Sequence, residues 1–139
     1  MSGNLSICSI SPEIREQLKK FKRNRSMEMN TLILKIDRTT HELGVEEELL
    51  DTSVDELTQA LPAQQPRFLV VNYPMVADDG RAIFPICFVY FSPVGCNPEV
   101  QMLYAGSKNM IVNECQLPKN FELRDLDDLS HDYFKTRLQ

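Results

Sequence analysis

The 139-residue sequence has no apolar run approaching the roughly 20 residues that a membrane-spanning helix requires. Its opening, MSGNLSICSI, lacks the basic stretch and long apolar core of a secretory signal, so export is not expected. Glycine is scarce, with five in all. Neither GxGxxG nor GxxxxGK[ST] occurs, which removes the common phosphate cradles. GxSxG and HExxH are missing too, and with them the nucleophile elbow and the zinc-binding helix. There are two histidines and four cysteines, Cys8, Cys87, Cys96 and Cys115. No two of these cysteines form a CxxC pair, so a zinc site would have few ligands. The cysteines read as reduced, mostly buried thiols of a cytosolic protein. No metal, cofactor or catalytic residue is expected.

The remaining catalytic candidates are weak on geometric grounds. His131 and Asp132 are sequence neighbours, and adjacent helical residues point about 100° apart, so the carboxylate cannot orient the ring. Cys87 lies in an apolar strand, where burial raises a thiol's pKa and suppresses its reactivity. Glu46, Glu47 and Glu48 alternate between the faces of a strand and cannot converge on one ion; they read as a solvated acidic strand end.

Charge excludes another class. The net charge is -5, from 15 basic and 20 acidic residues. Five of the cations fall in KKFKRNR, residues 19 to 25, which leaves ten facing all 20 acids. A surface with that balance does not suit general nucleic-acid binding. Neither nucleic acid nor membrane is an expected partner.

What is present suits one domain over residues 1–139, long enough to bury roughly 68–70% of its unfolded surface. Ser11-Pro12 reads as an N-cap followed by proline at the first helical position, with Ile14, Leu18 and Phe21 on one face, so a helix is expected over 12–23. MNTLILKID and ELGVEEEL alternate in hydrophobicity and predict an antiparallel hairpin. Ser53 and Glu56 form a capping box that opens a short helix ending before Pro62. RFLVVNY (67–73) and AIFPICFVYF (82–91) are apolar at consecutive positions, which predicts central strands covered on both faces. Pro85 cannot donate a ladder hydrogen bond and marks a bulge or an edge-facing position in the second run. NFELR is a short strand candidate, and DLSHDYFKTRL a terminal helix with Leu129, Tyr133 and Phe134 on one side. The fold class is therefore α+β: a mixed sheet of about five strands with helices on both faces.

SPVGCNPEVQMLYAGSKNMIVNEC, residues 92–115, holds the feature that asks for a function. At about 100° per residue from Pro98, Val100, Leu103, Tyr104, Ser107, Ile111 and Cys115 share one stripe. This is the core face. Opposite lie Met102, Gly106, Asn109 and Asn113, flanked by Ala105 and Val112, with no charge among them. Solvated helix faces normally carry charge, and glycine inside a helix costs about 1 kcal/mol against alanine. A small residue beside an adaptable methionine lets another backbone approach, so the face suits docking into a groove. Cover by a loop of the same chain, or a face that is simply neutral and wet, would look the same in sequence.

The same run resembles the actin-depolymerising-factor homology domain, whose members place a proline turn before a helix of Met-hydrophobic-Tyr-Ala-small-Ser-Lys pattern. Met102, Tyr104, Ala105, Ser107 and Lys108 match it. QPRF, DDGR, SPVGC, MLYAGSKN and the opening helix with KKFKRNR are similar, more narrowly, to the glia maturation factor branch. The resemblance implies the actin-depolymerising-factor homology fold and a non-enzymatic, monomeric regulator in the cytoplasm and actin cytoskeleton, with the nucleus a further location. The implied partner is the actin-related protein 2/3 complex, with inhibition of branch nucleation, promotion of debranching, and weak contact with actin at branch junctions.

Site residues follow from the same resemblance. Docking falls to Met102, Gly106, Ser107, Lys108, Asn109 and Asn113, with Lys19, Lys20, Lys22 and Arg23 as a basic edge. Arg81 and Arg124 are candidates for a second surface. Apart from the resemblance, Ser2 becomes the N-terminal residue if Met1 is removed, and a phosphate there would add about -1.5 to -2 charge near the docking edge, which makes it a candidate for regulatory phosphorylation. Cofilins are similar here but start the helix basic-serine-basic-methionine, where this chain has Glu99-Val100-Gln101-Met102. Cofilin-like binding and severing of actin is the alternative. A small enzyme, or the growth-factor-like protein that the family's name suggests, is disfavoured by the missing catalytic constellation and the missing signal.

Overall fold

The computed structural model describes residues 7–138. Its elements are α1 (Pro12–Arg23), β1 (Asn30–Ile36), β2 (Leu43–Leu49), α2 (Val54–Ala60), β3 (Arg67–Asn72), β4 (Met75–Val76), β5 (Ala82–Ile83), β6 (Ile86–Phe91), α3 (Pro98–Glu114), β7 (Asn120–Leu123) and α4 (His131–Leu138). The local signals act where they stand. Ser11 Oγ accepts from Ile14 N at the start of α1, and Ser53 and Glu56 exchange both bonds of the capping box at α2.

Five strands form one sheet in the order β2-β1-β3-β6-β7. All neighbours are antiparallel except β6 and β7, which run parallel with Phe88 opposite Asn120 and Phe91 opposite Leu123. A parallel pair cannot be closed by a tight turn and needs a crossover. α3 is that crossover, which lays the long helix along one face of the sheet.

The period of two along the central strands divides the core. Leu32, Leu34, Phe68, Val70, Phe88 and Tyr90 face α1 and α3, together with Leu18, Phe21, Leu103, Tyr104 and Ile111. Ile33, Leu69, Val71, Cys87, Val89 and Phe91 face α2 and α4, together with Leu57, Tyr133 and Phe134. Both faces are covered, as the consecutive apolar residues predict. The mixed five-stranded sheet with helices on both faces expected from the sequence is the one observed.

Two expectations need correction. The run 82–91 is not one strand: β5 pairs with β4 in a separate two-stranded hairpin, and β6 begins after Pro85. Pro85 has no N–H for the ladder but its carbonyl accepts from Tyr73 N at 3.0 Å, so the break falls at that residue. The terminal helix is shorter than DLSHDYFKTRL. Leu126–Asp128 forms its own 3-10 turn, and α4 starts at His131, where Ser130 Oγ accepts from Tyr133 N at 3.1 Å.

Candidate protein-docking site

α3 starts where Asn97 Oδ1 accepts from Glu99 N at 2.9 Å and Val100 N at 3.2 Å, with Pro98 at the first helical position. Gly95, at φ 89°, turns the chain into it, and Gln101 Nε2 reaches back to Ser92 Oγ at 3.2 Å. The inner stripe is buried at Leu103, Tyr104, Ser107 and Ile111. Tyr104 packs on Phe68 with ring centroids 5.0 Å apart, and its hydroxyl accepts from Ile36 N at 2.8 Å. The helix is thereby fixed in rotation, so its outer face is fixed as well.

On that outer face Met102 is 63% exposed, and Ala105, Gly106, Asn109 and Asn113 are exposed with it. Lys108 and Val112 are half-buried on its flanks. The uncharged stripe therefore lies open to solvent. Val94, 74% exposed in the turn ahead of α3, adds a second bare apolar side chain at the same end. Nothing in periodicity marks Val94, since it precedes the helix; its place between Pro93 and Gly95, in a turn, was the available signal.

Ser107 does not belong on this face. It is fully buried, and its Oγ accepts from Cys8 N at 2.8 Å, so it ties the N-terminal segment to the helix and offers nothing to a partner. Lys22 is also not part of an open edge. Its Nζ donates to the carbonyls of Cys115 at 2.8 Å and Gln116 at 2.7 Å, at the end of α3. Arg15 of α1 pairs with Glu114 of α3 beside it.

The other cations of the run are exposed but divided. Lys19 lines a groove of about 260 Å³ with Arg15, Lys22, Glu114, Cys115 and Gln116, against the end of α3. Lys20 sits one helical step further round, beside Gln17, Phe21, Asn24, Leu32 and Glu48. Arg23 lies 3.7 Å from Glu16. Of these three exposed cations, Lys19 is the one that adjoins the end of α3.

The two candidates for a second surface do not meet either. Arg81 is exposed in the β4–β5 hairpin, its Nε 2.7 Å from Asp79 Oδ2. That hairpin joins the N-terminal end of β6. Arg124 follows β7, whose last residue accepts from Ser92 N at 2.8 Å at the C-terminal end of β6. The six residues of β6 separate them by a strand length of about 17–20 Å. Ser2 lies outside the described residues.

The apparent reactive groups are quiet. Burial pushes the Cys87 thiol up to about 12. His131 Nδ1 lies 2.6 Å from the Tyr73 hydroxyl, so its ring is engaged with β3's end and not with Asp132. Among the described residues no group of three or more His, Cys, Asp or Glu could hold a metal ion, and no helix is long and apolar enough to cross a membrane.

Comparison with known proteins identifies the scaffold that carries this face. Residues 7–139 match the family model described as cofilin/tropomyosin-type actin-binding protein. Glia maturation factor beta of Mus musculus is 42% identical over 138 residues, covering 99% of this chain and 97% of the relative. The chain belongs to the glia maturation factor branch of this actin-binding family. Glia maturation factor of Drosophila melanogaster is 41% identical over 139 residues, with both chains covered in full. The solution structure of glia maturation factor from Caenorhabditis elegans superimposes with a TM-score of 0.82 at 46% identity, covering 98% of this chain and 99% of that one. In this chain the first turn of α3 carries Glu99 and Gln101 and no cation.

Proposed function

We propose that this protein is a non-enzymatic regulator of branched actin. It binds the actin-related protein 2/3 complex, inhibits branch nucleation and promotes debranching. The observation that carries this reading is the open, uncharged stripe of Met102, Gly106, Asn109 and Asn113 on a helix whose other side is locked into the core. Such a face fits a groove between two lobes of an actin-fold subunit, where Gly106 admits a close backbone and Met102 adapts to the wall. Lys108 and Lys19 supply charge at its margins. The action is steric: α3 occupies the groove that the first actin of a branch would otherwise contact. Arg81 and Arg124 would act as two separate contacts. The cytoplasm and the actin cytoskeleton are the corresponding location.

Glu99 and Gln101 favour this partner over ordinary actin. Where cofilins place two cations, each charge-assisted bond is worth about 1.5–3 kcal/mol, and a glutamate and an amide do not replace them. The family model's actin-binding description keeps a cofilin-like reading in view, and that reading predicts co-sedimentation with unbranched filaments and severing.

The test is a branched-filament assay by fluorescence microscopy with purified protein. The wild-type protein is expected to reduce branch number and shorten branch lifetime, and Gly106→Lys to lose both effects while remaining folded. Equal loss of branches with both proteins would sink the docking face.

A further inference from the structure

The end of α3 is capped from outside the helix. A helix leaves its last four carbonyls without intrahelical partners, and cations near that end are favourable. α3 has no basic residue in its own last turn. Leu117 N donates to Val112 O at 3.0 Å, the six-to-one bond of a Schellman motif. The position that normally carries glycine in this motif is Gln116, at φ 56°. A side chain there opposes the turn that the motif requires. The missing support comes from α1, as Lys22 Nζ donates to Cys115 O and Gln116 O.

The segment that depends on this cap is the second half of the docking face. Gly106 is a poor helix former inside α3, and the stretch beyond it, Ser107 to Glu114, contains Asn109, Ile111, Val112 and Asn113, all weaker helix formers than alanine or leucine. Asn109 and Asn113 of the exposed face lie there.

We propose that Lys22 is a positioning residue for partner binding. By capping α3 from α1, it holds Asn109 and Asn113 in the helical arrangement the partner meets, without touching the partner itself. The inference rests on the reading of α3 as the docking element. If the last turns open for part of the time, the apparent affinity falls in proportion to the competent fraction.

The experiment measures affinity of the full chain for purified actin-related protein 2/3 complex by fluorescence anisotropy, together with amide hydrogen exchange across α3. Lys22→Met is expected to weaken binding about 3- to 10-fold and to speed exchange at Asn113 to Leu117. Lys22→Arg retains most of the affinity. The deciding variant is Lys22→Met with Gln116→Gly: glycine caps the helix by itself, so affinity and slow exchange return although the cation does not. The Lys22→Met loss should also change less between about 50 and 200 mM salt than the loss from Lys19→Met, because the Lys22 bonds are short and one of them is partly buried.

Failure of Gln116→Gly to restore binding while it restores slow exchange would make Lys22 a direct contact and overturn the proposal. So would unchanged affinity in Lys22→Met. If the wild-type chain fails to bind, the functional reading fails and takes the partner clause of this inference with it. Exchange then decides the cap separately, and unchanged exchange in Lys22→Met rejects it.

Discussion

Arg67 shows how a single side chain can hold an irregular corner of a sheet. Its side chain is only 8% exposed; Nε and Nη2 donate to the two carboxylate oxygens of Glu46 at 2.8 and 3.1 Å, and Nη1 to Pro66 O at 2.8 Å. These bonds hold the Glu46 carboxyl below its ordinary value, with burial opposing them. A depressed folded value means that the pair stabilises the fold fully above the unfolded carboxyl's pKa of about 4.3 and loses this as pH falls through the lower folded value. Glu46→Gln should therefore lower stability by roughly 1–2 kcal/mol at neutral pH. Urea denaturation should find that difference shrinking below pH 4.5, and a constant difference down to pH 3 would refute the pairing. The sequence presents Glu46 to Glu48 as a uniform solvated strand end, and all three are exposed, but Glu46 is also paired with Arg67. The pairing was not legible, because Arg67 lies on β3 and Glu46 on β2, with β1 between them in the sheet.

At the scale of the element, α3 was the most legible part of the chain. Proline and a 3.6-residue period define its start and its buried stripe without reference to anything else. Ser107 is the instructive case: periodicity places it inward, while the family pattern groups it with Lys108 as a contact, and the geometry follows periodicity. Ser107→Ala should cost about 1 kcal/mol through the lost bond from Cys8 N, and alter binding no more than that loss of stability requires. Gly106→Ala should do the reverse. It is expected to raise stability by about 0.5–1 kcal/mol, since alanine favours helix, while weakening partner affinity through the added Cβ. Thermal melts read beside anisotropy separate the two; higher affinity in Gly106→Ala would exclude close backbone approach at that position. Lys22 escaped sequence reasoning because its role depends on α1 lying beside the end of α3, a relation that no local pattern contains.

For the whole molecule, charge placement matters more than net charge. The run at residues 19–25 looks like one basic patch in sequence, but the helix distributes it around its axis and assigns Lys22 to the fold. Lys19→Glu should weaken partner binding more than Lys20→Glu, and equal effects would return both to a common edge. Arg81 and Arg124 lie far enough apart to act independently. Charge reversals at both should change branch lifetime by the product of the single effects; a double variant no worse than the stronger single one would place them on one contact after all. The order of elements and both covered sheet faces were readable from hydrophobic runs and turns. The partition of 82–91 was not, since a proline can signal a bulge, an edge or a break, and the pairing of β4 with β5 decides among them.

The crossover has a mechanical meaning. α3 leaves the sheet at Phe91 and the chain returns to it at Asn120, which lie at opposite ends of the β6–β7 pair. The helix is thus braced like a strut along the length of the sheet, with Tyr104 as a cross-pin to β1. A pull along its axis passes into both ends of the β6–β7 pair, where several ladder bonds resist together. A wedge mounted this way transmits force to whatever it is driven into before it deforms itself.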